Sequence, residues 1–179
     1  MTIRQSDLIA AARMRNFSKA AMEVLNESYS RDARVRGHRA FLSHSHLDEE
    51  LALGLKNKMA SSGINLYIDW LDRTMPEETS LETALKIQEA IRSCDYFFYL
   101  VTENSSRSIW CPWELGYADG IERLRERIFV IPTLDKENLE HGKEYLGLYQ
   151  ILDEYNDNGS PRFAYHTLGK DSKYLWFDA

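Results

Sequence analysis

Cysteine is scarce in this chain. The two present, Cys94 and Cys111, form no Cys-x-x-Cys pair. That argues against a disulfide scaffold and fits a reducing compartment. Long apolar runs are also missing. The longest, Tyr96 to Val101, falls far short of the ~20 residues a membrane-spanning helix needs. The first residues, Met1 to Asp7, lack the apolar core of a signal peptide, so a cytoplasmic location is expected. Positive charge is in deficit: 22 Lys and Arg face 28 Asp and Glu, for a net charge of -6. Nucleic acid and anionic membrane surfaces are therefore not the expected partners. No Gly-x-Gly-x-x-Gly follows a strand-like segment and no Walker A segment occurs, so the usual phosphate cradles are absent.

What is present is ordinary globular composition, 44% hydrophobic and 28% charged over 179 residues, enough for one domain with a real core. Ser6 to Tyr29 reads as a helix with apolar positions at Leu8, Ala11, Ala12, Met14, Ala21, Met22 and Leu25. A polar, basic stretch from Ser30 to Gly37 reads as a linker. The expected organisation is a helix and linker over 1–37 and a main domain over 38–179. In the latter, short apolar segments alternate with helical ones. Arg39–Ser43 is a predicted strand, Asp48–Ser61 a helix ended by Gly63, and Ile64–Trp70 a strand. Leu71–Thr79 is a polar loop. Ser80–Ser93 is a helix capped by Ser80, with Leu81, Leu85 and Ile91 as core candidates. Tyr96–Val101 is a strand covered on both faces, Glu103–Arg107 a loop, and Cys111 to about Arg127 a helix. Ile128–Pro132 is a fourth strand, and Tyr149–Tyr155 a fifth at the edge. This alternation predicts a three-layer α/β fold, flavodoxin-like, around a mostly parallel sheet of about five strands, with an extra N-terminal helix.

Ligands of such sheets bind outside the carboxyl ends of the strands. The segments expected there are Ser43-His44-Ser45-His46-Leu47-Asp48, Asp69-Trp70-Leu71-Asp72-Arg73, and Thr102 to Ser108 leading into Trp110 and Glu114. Four of the segments resemble a known family in order and spacing. Ala40-Phe41-Leu42-Ser43-His44-Ser45 with Asp48 is similar to the first strand of TIR domains. Gly63 to Asp69 is similar to their second strand, which ends in an aspartate before the BB loop. Ala90 to Asp95 leads into an apolar strand as in the family. Asn104-Ser105 and Ser108-Ile109-Trp110-Cys111-Pro112-Trp113-Glu114-Leu115 resemble its most recognisable segment. The resemblance spans about residues 38 to 134. The stretch Leu71–Thr79 departs from the pattern, lacking the usual glycine and carrying Met75-Pro76-Glu77-Glu78.

The resemblance implies cleavage of the nicotinamide–ribose bond of NAD, with Glu114 of the Trp-x-x-x-Glu arrangement as the catalytic residue. It implies NAD as substrate and no other cofactor. Phe41, Ser43, His44, Ser45, Asp69, Trp70, Arg73 and Trp110 are the residues expected to meet the substrate. The small single-domain layout resembles the signal-producing subunit of Thoeris-like bacterial antiviral systems. That likeness implies a nucleotide messenger read by a separate effector, and self-association through TIR–TIR contacts. The chemistry suits a lone acid. Nicotinamide leaves a pyridinium as a neutral base and needs no proton, so one carboxylate facing the developing ribose cation suffices. If Pro112 is the first helical residue, Glu114 stands at N3, where the helix dipole favours its ionised form. The plain alternative for Glu114 is a first-turn capping glutamate. At the level of function, the alternative is a non-catalytic TIR adaptor. His44-Ser45-His46-Leu47-Asp48 also matches the start of a dimetal-hydrolase signature. The next residue is Glu49, however, and only His141 and His166 follow downstream, so no metal is expected.

Overall fold

The computed structural model describes residues 2–14, 38–60, 62–72, 74–76, 78, 80–157, 160–166 and 175–177. The helical reading of residues 15–29 and the linker at 30–37 lie outside them. The N-terminal segment begins with a short strand β1 (Ile3–Arg4) and helix α1 (Gln5–Met14). The main run is β2 (His38–Ser43), a 3-10 turn (His46–Asp48), α2 (Glu49–Ala60), β3 (Ile64–Tyr67), a 3-10 turn (Asp69–Leu71), and α3 (Leu81–Ser93). It continues with β4 (Tyr96–Val101), α4 (Glu103–Arg107), α5 (Trp110–Asp119), a 3-10 turn (Glu122–Leu124), and β5 (Ile128–Leu134). A further 3-10 turn (Glu144–Leu148) precedes β6 (Gln150–Asp157), β7 (Ser160–His166) and β8 (Leu175–Trp176).

The sheet order is β3-β2-β4-β5-β6-β7-β8, with β1 pairing β5. The run β3-β2-β4-β5-β6 is parallel throughout. It is the five-strand core of the expected flavodoxin-like fold, with the chain reversing direction across the sheet between β3 and β4. The sheet is larger than the sequence pattern suggests. Strand β6 is not an edge: β7 pairs with it antiparallel and β8 pairs with β7. The last strands escape pattern reading because β8 is only two residues long and its register is set by its neighbour.

Strand β4 explains how one core serves two layers. Side chains alternate across a strand. Phe98 and Leu100 enter the cluster under α1 and α2, while Phe97, Tyr99 and Val101 enter the one under α3 and α5. A strand buried on both sides has no reason to carry polar residues, and this one has none.

Several boundaries differ from the sequence reading. Strand β3 stops at Tyr67, and Asp69–Leu71 turns instead. Glu103–Arg107 is a one-turn helix, because Thr102 and Ser105 form a reciprocal capping box there. Helix α5 ends at Asp119 rather than running to Arg127. Ser80 does cap α3, through a box with Thr83. The core face of α3 is Ile87, Ala90 and Ile91, whereas Leu81 and Leu85 are exposed. Gly63 ends α2 with φ 78, the left-handed conformation that glycine adopts without penalty.

The N-terminal helix packs onto the sheet domain. Leu8 is fully buried in the cluster that also holds Leu51 and Leu55 of α2. Where the helices meet, Gly54 admits the Leu8 backbone: a Cβ there would stand 1.9 Å from the Leu8 carbonyl oxygen.

Candidate active site

Strand β2 ends at the carboxyl edge with Ser43, next to β4 and in register with Tyr99. The pairing of β2 with β3 brings the chain out at Asp69 and Trp70 beside it. Helix α5 then delivers Glu114 from the face below. These three routes place five of the expected residues together.

Glu114 is buried, at 5% exposure. Its Oε2 accepts a hydrogen bond from the Ser43 hydroxyl at 2.6 Å. Burial, with the Asp69 carboxylate adding to it, pushes the Glu114 carboxyl up to about 8, and the Ser43 bond pulls the other way. This reverses the expectation of a dipole-ionised glutamate. Helix α5 starts at Trp110, with Ile109 as the N-cap, so Glu114 is its fifth residue and has left the first turn, where the dipole acts. The capping role is also filled by another residue. Ser108 Oγ accepts from the backbone N–H groups of Trp110 and Cys111, each at 3.2 Å. Pro112 then falls at N3, where a missing N–H costs nothing. A carboxylate with no capping duty that is nonetheless buried requires another reason for being there.

His44 and Trp70 are locked together. His44 Nδ1 lies 3.0 Å from the Leu42 carbonyl oxygen, and the Trp70 indole N–H donates to His44 Nε2 at 3.0 Å. A carbonyl only accepts and an indole N–H only donates, so the ring carries its proton on Nδ1 and its lone pair on Nε2. The lone pair is thus engaged, and His44 is unsuited to hold a metal. Among the described residues, no group of three His, Cys, Asp or Glu side chains is placed to hold a metal ion. Asp69 Oδ1 accepts from the Trp70 backbone N–H at 2.9 Å and sits 4.0 Å from His44 Nε2.

The remaining expected residues fall in different surroundings. Phe41 is 1% exposed and stacks between Tyr67 and Phe97, with ring centroids 5.7 and 5.6 Å away. Ser45 caps the following turn by accepting from the Leu47 N–H at 3.3 Å. Trp110 packs on the core one turn before Glu114 on the continuous helix α5, edge-on to Trp113 at 5.3 Å. Arg73 lies outside the described residues.

Two supports went unrecognised in the sequence. Asp48, read there as an ordinary helix-start residue, is buried. It accepts from Thr102 Oγ1 at 2.5 Å and Asn104 Nδ2 at 2.7 Å, tying the loop after β2 to the loop after β4. Cys111 is buried beside the same site. Burial, and then the charge of Glu114, raise its thiol to about 11, so it is a neutral space-filler rather than a nucleophile. The signal for Asp48 was the Thr102 cap, legible only once Glu103–Arg107 is known to be helical.

A family of TIR domains matches residues 40–164. The chain is also 38% identical over 139 residues to a Bacillus cereus (strain MSX-D12) protein named "Probable 3' cyclic ADP-D-ribose synthase ThsB'", a match covering 75% of this chain and 70% of the relative. Sheet order, site position and sequence agree: this chain belongs to the TIR domain family.

Proposed function

We propose that this protein cleaves the nicotinamide–ribose bond of NAD and returns ADP-ribose or a cyclic ADP-ribose isomer, as a signal in bacterial antiviral defence. The observation that carries this reading is Glu114: a buried carboxyl, spared from helix capping, hydrogen-bonded to Ser43 at the carboxyl edge of a TIR sheet. The name of the Bacillus cereus relative supports the cyclising outcome.

In the proposed reaction the C–N bond breaks heterolytically, and its electron pair leaves with nicotinamide as a neutral base. Positive charge grows on the ribose carbon and its ring oxygen. A pyridinium bound near Glu114 favours the ionised carboxylate and draws its affinity for protons down, so the acid gives up its proton as substrate settles. The carboxylate then stabilises the cationic ribose in a water-poor site, where such charge is worth most. The attacking oxygen comes from water or from a hydroxyl of the same nucleotide, and on bonding it must lose a proton. Glu114, with its raised proton affinity, is suited to take it. Ser43 holds the carboxylate, and His44, Asp69, Trp70 and Trp110 shape the pocket. Phe41 and Ser45 back it from beneath, and Arg73 is assigned to the substrate phosphates.

Self-association through TIR–TIR contacts belongs to the same reading. Leu81 and Leu85 on α3, Ile109 before α5 and Trp113 on it are large exposed apolar side chains, surface of the kind that partners cover. A separate effector that responds to the nucleotide product, and a cytoplasmic setting, complete the proposal. No described helix is long and apolar enough to cross a membrane.

The direct test incubates the full chain with NAD at high protein concentration and separates the products by chromatography. Nicotinamide release is expected, and should drop by about 100-fold or more in Glu114→Ala. Equal release by that variant, or none by the native chain with lysate from phage-infected cells added as a trigger, would remove the enzymatic reading in favour of a non-catalytic adaptor.

A further inference from the structure

A cavity of about 360 Å³ lies on the α3–α5 side of the sheet, beneath the segment that links β5 to β6. Its lining shares no residue with the cluster around Glu114. Its floor is apolar, formed by Val101 of β4, Val130 of β5 and Ile151 of β6. Strand register puts Val130 opposite Ile151, and Ile151 opposite His166. Side chains alternate, so Asp153 and His166 project from that same covered face. There Asp153 Oδ2 and His166 Nε2 stand 3.4 Å apart, with the two side chains at 9% and 12% exposure.

The pair puts polar atoms on an otherwise apolar covered face. An apolar cavity of ligand size lined by a few convergent polar groups has the make-up of a small-molecule site. The remaining polar lining narrows the chemistry. Lys143 lies in the cavity wall, together with Glu140, whose Oε1 accepts from the Thr2 hydroxyl at 3.2 Å.

We propose that this cavity binds a nucleoside monophosphate group bearing an amino-substituted base, as a second nucleotide site separate from the one at Glu114. The base lies on the apolar floor. A carboxylate only accepts, so Asp153 calls for the exocyclic amine of the base, and His166 meets a ring nitrogen beside it. The ribose hydroxyls face Glu140, and Lys143 takes the phosphate as a point charge. The volume suits a nucleoside, and the wall holds one cation for one phosphate. This assignment stands whether or not Glu114 proves catalytic.

The probe is AMP, which has no nicotinamide bond to cleave, added to the full chain. The readout is the His166 ring resonance in proton NMR, identified by its loss in His166→Gln. AMP at millimolar concentration is expected to shift that resonance saturably, and adenosine to bind about tenfold more weakly. Lys143→Glu should erase that difference. Gly142→Phe should abolish the response to both. Gly142 lines the cavity, an added Cβ there meets nothing within 4 Å and its φ is not positive, so a bulky side chain can be placed at the cavity wall without backbone strain, as an unchanged melting temperature will verify. The proposal is overturned if AMP leaves His166 unmoved, if its effect survives in Gly142→Phe, or if inorganic phosphate alone reproduces it.

Discussion

Glu114 occupies a position that stability alone would not choose. Its carboxyl sits near 8 when folded because burial, and then Asp69, oppose its charge; in the unfolded chain it returns to about 4.5. Between these values the folded state keeps a proton that the unfolded state has released. The stability linked to this group is therefore complete below pH ~4.5 and is lost as pH climbs through about 8. Glu114→Gln keeps the shape and cannot ionise. It should melt with the native protein near pH 5 and well above it at pH 9, by a few kcal/mol, on the order of 10 °C. Coincident melts at pH 9 would show that the carboxyl is not held protonated. On the proposed mechanism the same group sets the rate. For the native enzyme, kcat/KM for NAD should rise with pH and level off near 8, since this ratio reports the ionisation of the free enzyme and the acting form is the carboxylate. A profile that falls through that region would make Glu114 a proton donor to the leaving group instead.

At the scale of elements, the α1–α2 contact depends on a missing side chain. Gly54 lies where the backbone of α1 crosses α2, and the Leu8 carbonyl occupies the place a Cβ would take. Neither helix can yield, because Leu8, Leu51 and Leu55 are locked in one cluster. Gly54→Ala, mild on an exposed helix, should here cost about 1–3 kcal/mol or detach α1. Detachment would appear as faster proteolytic loss of the N-terminal segment from the folded chain, and an unchanged digestion rate and melting temperature would contradict the close approach. The loops at the carboxyl edge are joined differently, by polar groups. Asp48 bridges to Thr102 and Asn104, so the capped turn of α4 and the turn after β2 hold each other, and Ser43 leaves its strand in a fixed direction.

At the scale of the molecule, the aromatic core on one face of the sheet is completed by the C-terminal segment. Phe177, after the last strand, is 8% exposed and meets Tyr96, Phe98 and Phe129 with ring centroids 5.0, 5.8 and 5.2 Å away. Its backbone N–H donates to the Phe163 carbonyl oxygen at 2.8 Å. Edge-to-face aromatic contacts add to area burial. Phe177→Ala should therefore cost about 3–5 kcal/mol, read as a lower urea midpoint with an unchanged slope. A loss below ~1 kcal/mol would mean that the C-terminal segment merely rests on the core.

The amino-acid pattern alone was sufficient for the parallel core, since strands buried on both faces, such as Tyr96–Val101, must be apolar and the helices between them must carry a polar side. It was sufficient too for the Ser80 cap and the turn at Gly63, which are local chemistry. The ordered family segments singled out Glu114. What they left undecided was its state. Helix position argued for an ionised carboxylate, whereas the true start of α5, the Ser108 cap and the burial beside Ser43 make it a proton holder. Packing decided that Phe41 lies between Tyr67 and Phe97, that Leu81 and Leu85 face outward, and that Asp48 is a bridge. It also decided that two residues at 175–176 form a strand. Each depends on a neighbour distant in sequence: desolvation, register and long-range hydrogen bonds are properties of the assembled chain, and no local window of residues contains them.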